Sequence, residues 1–176
     1  MTIQELFSER CQRPQVHDDI WEHLPTLARY ASMCRHVTEI GTRTGNSTTA
    51  LLLGLSANGG TMHSYDIAPQ QFTPPPIGNV SWSFHQADSN APDFRIPLTH
   101  LLFIDGNHKY DAVKADLRQA DSVSRFIILH DTLPERDEKY GDGVCRAMME
   151  FLASSPWAIK ESFTNCNGLT VLERIK

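Results

Sequence analysis

Apolar residues in this chain follow two spacings that alternate along its length. The short unbroken runs in "HVTEIG", "LLFIDG" and "RFIILHD" read as strands buried on both faces. Between them, "NSTTALLLGL", "KYDAVKADLRQA" and "GVCRAMMEFLAS" place apolar residues at helical intervals. "TMHSYDI" and "VSWSFHQAD" add two strands after the first of these helices, and "WAIKESF" with "LTVLERI", joined through "TNCNG", reads as a closing hairpin. An opening segment holds Ile3, Leu6 and Phe7, and the run from Asp18 to Met33 spaces Ile20, Leu24, Leu27 and Tyr30 as a helix that Pro25 makes broken or late-starting. The Pro-rich "APQQFTPPPIGN" reads as a loop standing where a crossing helix belongs, and "TLPERDEKYGDG" as a charged connection, either a mobile lid or a solvated loop. Repeated β-then-α units predict an α/β fold: a three-layer sandwich on a mostly parallel sheet with an antiparallel C-terminal hairpin. The expected organisation is one domain over 1–176, a helical segment 1–35 leading into a core 36–176.

Polar chemistry gathers where the strands end. In "TEIGTRTGNSTTALL" the first strand runs into Gly41 and Gly45, and Asn46, Ser47 and Thr48 offer oxygens to cap the helix that follows. The spacing lacks the third glycine of a dinucleotide fingerprint and the Gly-Lys-Ser/Thr ending of a P-loop, which disfavours pyrophosphate. Glu39 precedes the glycines, Asp66 closes the second strand and Asp88 the third. A carboxylate such as Asp66 suits a ribose diol, whereas Asp88 reads equally well as a turn cap. In "LLFIDGNHKYDAVKADL" the apolar run breaks at Asp105 and Gly106, and His108 follows at the start of a helix. His108 has three readings: general base, pocket wall, or anchor of that helix.

Composition narrows the partners. Sixteen basic against 21 acidic side chains leave a net charge of -5, so no overall positive field exists to hold nucleic acid or an anionic membrane, and a small-molecule partner is expected. No apolar run approaches the roughly 20 residues that span a bilayer. Cys11, Cys34, Cys145 and Cys166 form no C-x-x-C pair, and no basic-then-apolar leader precedes them, from which a cytoplasmic protein with reduced thiols is expected.

Taken together, these residues resemble a class I S-adenosylmethionine-dependent methyltransferase with a Rossmann-like core. "EIGTRTGNST" resembles its first motif, "YDI" its ribose-binding strand end and "QAD" its adenine side, and "FIDGNHKYDAVKADL" is similar to the Asp-Gly-x-His-x-Tyr-x-x-Val-x-x-Asp pattern of small-molecule O-methyltransferases. The resemblance implies that Gly41 and Gly45 frame the methionine portion of the cofactor, that Asp66 holds the ribose and that Asp88 lies near the adenine. Glu39, Thr42 and Ser47 complete the expected cofactor contacts, with Asp105 and His108 as the catalytic pair. Some members of the subgroup bind a divalent metal after the fourth and fifth strands. Here those places hold Asp105 and then His130 and Asp131, a donor set that suits manganese better than magnesium. The implied activity is methyl transfer to an oxygen, or less readily a nitrogen, of a small molecule. The alternative is a methyltransferase-like module that binds the cofactor or a nucleoside without turnover. With little chain beyond the core sheet, a homodimer that completes the pocket is also an expectation.

Overall fold

The computed structural model describes residues 1–12 and 20–175. Seven strands form one sheet: β1 (His36–Ile40), β2 (Gly60–Asp66), β3 (Val80–Gln86), β4 (Thr99–Ile104), β5 (Val123–His130), β6 (Trp157–Phe163) and β7 (Leu169–Arg174). Their order is β3-β2-β1-β4-β5-β7-β6, with β1 to β5 parallel and β7 antiparallel to both β5 and β6. The chain first steps outward from β1 to β3 and then returns to place β4 on the other side of β1. That reversal opens a crevice at the carboxyl ends of β1 and β4, where open α/β sheets hold ligands.

The period-2 alternation of β4 shows why its sequence is continuously apolar. Leu101 and Phe103 enter a core with Leu24, Leu27, Tyr30, Leu51 and Leu55, whereas Leu102 and Ile104 enter a second core with Val113, Leu117, Val144 and Met148. The first core is roofed by α2 (Leu24–Ala31) and α3 (Asn46–Ser56), with Ile3 and Phe7 of α1 (Ile3–Gln12) packed against it. The second is roofed by α4 (Tyr110–Leu117) and α6 (Val144–Ala153). Such burial on both faces is the main stabilising term of the fold.

Several local expectations are refined. Ahead of α2 stands a 3-10 turn, Trp21–His23, and Pro25 sits in the helix's first turn, where its missing N–H costs nothing; Asp18 lies outside the described residues. The helix predicted through Ala120 ends at Leu117 and continues as a 3-10 turn over Arg118–Ser122. The connection "TLPERDEKYGDG" is not a plain loop, because it contains α5 (Pro134–Tyr140). Pro134 opens that helix, Glu135 and Asp137 lie in its first turn, Lys139 in its last, and Gly141 stops it at φ 64°. The Pro-rich stretch is a loop, as expected. No helix among the described residues is long and apolar enough to cross a membrane.

Candidate active site

The glycine turn and the exit of β4 are built against each other. Gly41 has φ 93°, and a Cβ on it would stand 2.1 Å from the carbonyl oxygen of Asp105. Two backbone bonds fix the crossing, with Gly41 N donating to Tyr65 O at 2.9 Å and Asp105 N to Ile40 O at 2.9 Å. Gly41→Ala combines a left-handed β-carbon with a backbone clash, and we expect a loss of roughly 2 to 4 kcal/mol in unfolding free energy, read by denaturant titration. Beyond Gly41, the amides of Thr42 and Arg43 donate to Asp66 Oδ2 at 2.9 and 2.8 Å, and the Ala68 amide donates to Oδ1 at 2.9 Å. Asp66 therefore pins the glycine turn while still offering lone pairs to the crevice.

A cleft of about 350 Å³ lies over these strand ends, within the range of small-molecule sites. Gly41, Asp66, Asp88 and Asp105 all line it, together with Arg43 and Ile67. Asp88 Oδ1 accepts the backbone and side-chain N–H of Asn90, so this residue caps a turn and faces the cleft at once. A larger, open hollow of about 1080 Å³ runs along α4 and α6 and shares Asn90 with the cleft.

Other predicted cofactor residues stand elsewhere. Glu39 is fully buried and accepts the hydroxyls of Ser47 at 2.6 Å, Thr48 at 2.8 Å and Ser64 at 2.7 Å. Burial pushes its carboxyl up to about 7, against the pull of the three hydroxyls. Glu39 and Ser47 thus tie α3 to the sheet behind the cleft, and neither lines it. The predicted side-chain caps of α3 are absent, since Ser47 and Thr48 spend their hydroxyls on Glu39 and Gly45 is the capping residue at φ 79°. Thr42 is buried, and the Phe72 ring lies over Gly45, where a Cβ would meet it at 2.2 Å.

At one end of the cleft, Asp105, His108 and Asp131 converge, their potential ligand atoms all within 4.8 Å of one another. His108 Nε2 is 3.0 Å from Asp131 Oδ2 and 3.5 Å from Asp105 Oδ1. Asp131 takes φ 58°, an unusual value for an aspartate. The hydrogen bonds to Asp105 and Asp131 push the His108 imidazole up to about 10, despite burial. Burial would raise Asp105, but His130 and His108 outweigh it and bring its carboxyl down to about 2. His108 joins the two aspartates in this cluster, and His130, expected in the metal set, also reaches it, with its Nδ1 3.7 Å from Asp131 Oδ2. His130 stands behind Asp105, Nδ1 at 3.2 Å from Oδ1, and its Nε2 donates to the Cys166 carbonyl at 2.9 Å. The β6–β7 turn thereby braces the site, with a second buried imidazole, His23, donating to Asn165 O at 3.0 Å.

Sequence reasoning missed Arg136 and Asp142. From α5, Arg136 reaches Asp131 Oδ1 at 3.1 Å and Asp142 Oδ2 at 3.0 Å. Its only signal was a charged connection next to a strand end.

The same fold occurs in solved structures of low sequence identity. An O-methyltransferase from Bacillus cereus in complex with SAH aligns with a TM-score of 0.63 at 18% identity, covering 99% of this chain and 90% of that one. TomG, an O-methyltransferase from Streptomyces achromogenes in complex with SAM, gives 0.64 at 16% identity over 98% and 90%. MycE, a methyltransferase of mycinamycin biosynthesis in complex with Mg and SAH, gives 0.66 at 14% over 100% of this chain and 55% of that one. No curated protein sequence matches. The glycine turn, the strand-end acids and the Asp105–Asp131 cluster all fall within residues 38–132, which match the family model described as a methyltransferase domain. With more than half of its length in that match, the chain belongs to the methyltransferase-domain family.

Proposed function

We propose that the chain transfers the methyl group of S-adenosylmethionine to an oxygen, less readily a nitrogen, of a small molecule in the cytoplasm. The observation that carries this reading is the single cleft that runs from Asp66 and Asp88, suited to an adenosine, to Asp105 at the edge of the His108 cluster. Its support is family membership, the SAM and SAH complexes of its structural neighbours, and four free cysteines that fit a reducing compartment.

Methyl transfer is an in-line displacement on a sulfonium carbon. The protein must align the acceptor oxygen and remove its proton. Asp105, held ionised, orients the acceptor hydroxyl, and His108 takes the proton in the form that has released its own. Two carboxylates and an imidazole within 4.8 Å also fit a divalent ion held by Asp105, His108 and Asp131, with manganese favoured over magnesium by the mixed donor set; with the ion bound, His108 would be its ligand and no longer the proton acceptor. Such an ion would supply charge that lowers the pKa of the acceptor hydroxyl.

Asp66→Ala is expected to weaken SAH binding by about 1.5 to 3 kcal/mol, through loss of charge-assisted hydrogen bonds. Unchanged affinity in a folded variant removes Asp66 from the ribose site. The activity itself is tested with isotopically labelled S-adenosylmethionine and a panel of small phenols, sugars and amines. Label appearing on an acceptor oxygen with release of SAH supports the reading. Cofactor bound but never consumed, across the panel and with manganese present, reduces the protein to a binding module.

A further inference from the structure

Four of the chain's eight histidines stand on one face of the sheet, outside the chemistry above. Side chains alternate along a strand, so His36, His63, His85 and His100 share the face that carries Ile40, Tyr65 and Leu102. Helices α4 and α6 roof that face over β4 and β5. The connection from β3 to β4, residues 87–98, forms no helix, and toward β2 it buries Phe94 and Ile96. His63 and His85 are therefore left half-buried at an open edge of the sheet. Their facing nitrogens, His63 Nδ1 and His85 Nε2, lie 3.0 Å apart, with the ring planes 28° from parallel. Packing holds His85 in place: its ring stacks on Tyr65 at 4.8 Å between centroids, and Phe94 meets the other ring edge-on at 5.1 Å. Two nitrogens that are each about 2.1 Å from one ion stand roughly 3.0 Å apart at a right angle and roughly 3.4 Å apart at the tetrahedral angle. The spacing of this pair is the right-angle one, which belongs to tetragonal ions, and imidazole is a favoured donor for them. Among the described residues no acid or cysteine completes a three-ligand cluster with the pair, which sets it apart from the oxygen-rich Asp105 cluster.

We propose that His63 and His85 form a second metal site, a cis pair of imidazoles on the open sheet face that takes a late first-row divalent ion, copper(II) ahead of nickel(II), with water in the remaining positions. Without the ion, the two facing nitrogens share one N–H. With it, His63 coordinates through Nδ1 and His85 through Nε2, and each ring carries its proton on its other nitrogen, so both stay neutral. Two nitrogen donors and no carboxylate select against the hard ions that prefer oxygen shells, and the order of affinities among the softer ones follows the general rise toward copper. The site does not depend on the methyl-transfer reading.

Equilibrium dialysis and electron paramagnetic resonance with copper(II), on the full chain free of any affinity tag and near neutral pH, test this in wild type, His63→Gln, His85→Gln, His100→Gln and Asp131→Asn. Wild type should hold one copper whose spectrum shows coupling to two imidazole nitrogens. His63→Gln and His85→Gln should each lose that signal and weaken the binding by roughly tenfold or more, because a lone imidazole keeps only half of the chelate. His100→Gln, on the same face, and Asp131→Asn, in the other cluster, should keep it. Each of the two ligand variants gives the readout by itself should the other fail to fold. A two-nitrogen signal that survives in both His63→Gln and His85→Gln, or one that is lost in His100→Gln or Asp131→Asn instead, places the copper elsewhere and overturns the proposal. Wild type without a two-nitrogen copper signal overturns it as well.

Discussion

His108→Ala should transfer methyl groups at about one hundredth of the wild-type rate or less while binding SAH with hardly altered affinity, the usual signature of a missing proton acceptor. The geometry behind this is the imidazole Nε2 at 3.0 and 3.5 Å from two carboxylates, one of which, Asp105, lines the cleft. His108→Gln should be as slow, since an amide keeps a hydrogen bond but takes no proton. Loss of SAH affinity with the single-turnover rate preserved would make His108 a pocket wall instead. The same contacts have a stability consequence. In the metal-free protein the His108 imidazole is raised from 6.5 to about 10, so its contribution is complete below about pH 6.5 and is lost as pH rises through about 10. In the presence of chelator, the melting temperature of wild type should therefore fall more steeply between pH 7 and 10 than that of His108→Gln. Parallel curves would show that the imidazolium is not held by Asp105 and Asp131.

If a divalent ion bridges Asp105 and Asp131, chelator should abolish activity in the wild type, added manganese should restore it better than calcium does, and the slow His108→Ala variant would reflect a lost ligand rather than a lost base. The reasoning is the donor set: Asp105, His108 and Asp131 offer one nitrogen and carboxylate oxygens at a compact site, and calcium prefers six to eight oxygens. Full activity in chelator would leave the two aspartates as polar walls of the acceptor site. Asp131→Asn should lose the manganese response, because it removes a carboxylate that is buried at 1% exposure and faces His108 directly.

Much of the sheet was legible because its central strands are buried on both faces. The runs around Val37, Leu101 to Ile104 and Phe126 to Leu129 hold no alternative to a strand once turn residues bound them. Gly41 was legible for a similar reason, a glycine between an apolar strand and a helix. What stayed hidden depends on contacts between distant segments. The Asn-Ser-Thr cluster after Gly45 reads as a capping motif, yet a buried Glu39 on the neighbouring strand takes two of its hydroxyls. His130 reads as the partner of Asp131 because the two are adjacent in the chain. Its Nδ1 does lie 3.7 Å from Asp131 Oδ2, but its Nε2 is spent on the Cys166 carbonyl and the ring lies 5.6 Å from His23. What the chain order hid is that His108, beyond the turn at Gly106, folds back onto the same two aspartates. Helix α5 escaped because its seven residues carry charge without an apolar stripe.

The central claim is that the cleft over β1, β2 and β4 is an adenosyl-cofactor site, and titration calorimetry of the purified chain with SAH, alongside NAD, tests it most directly. One SAH per chain, no measurable heat with NAD, and weakening by Asp66→Ala but not by His108→Ala is the predicted result. No binding of SAH, or NAD binding as tightly as SAH, would contradict it.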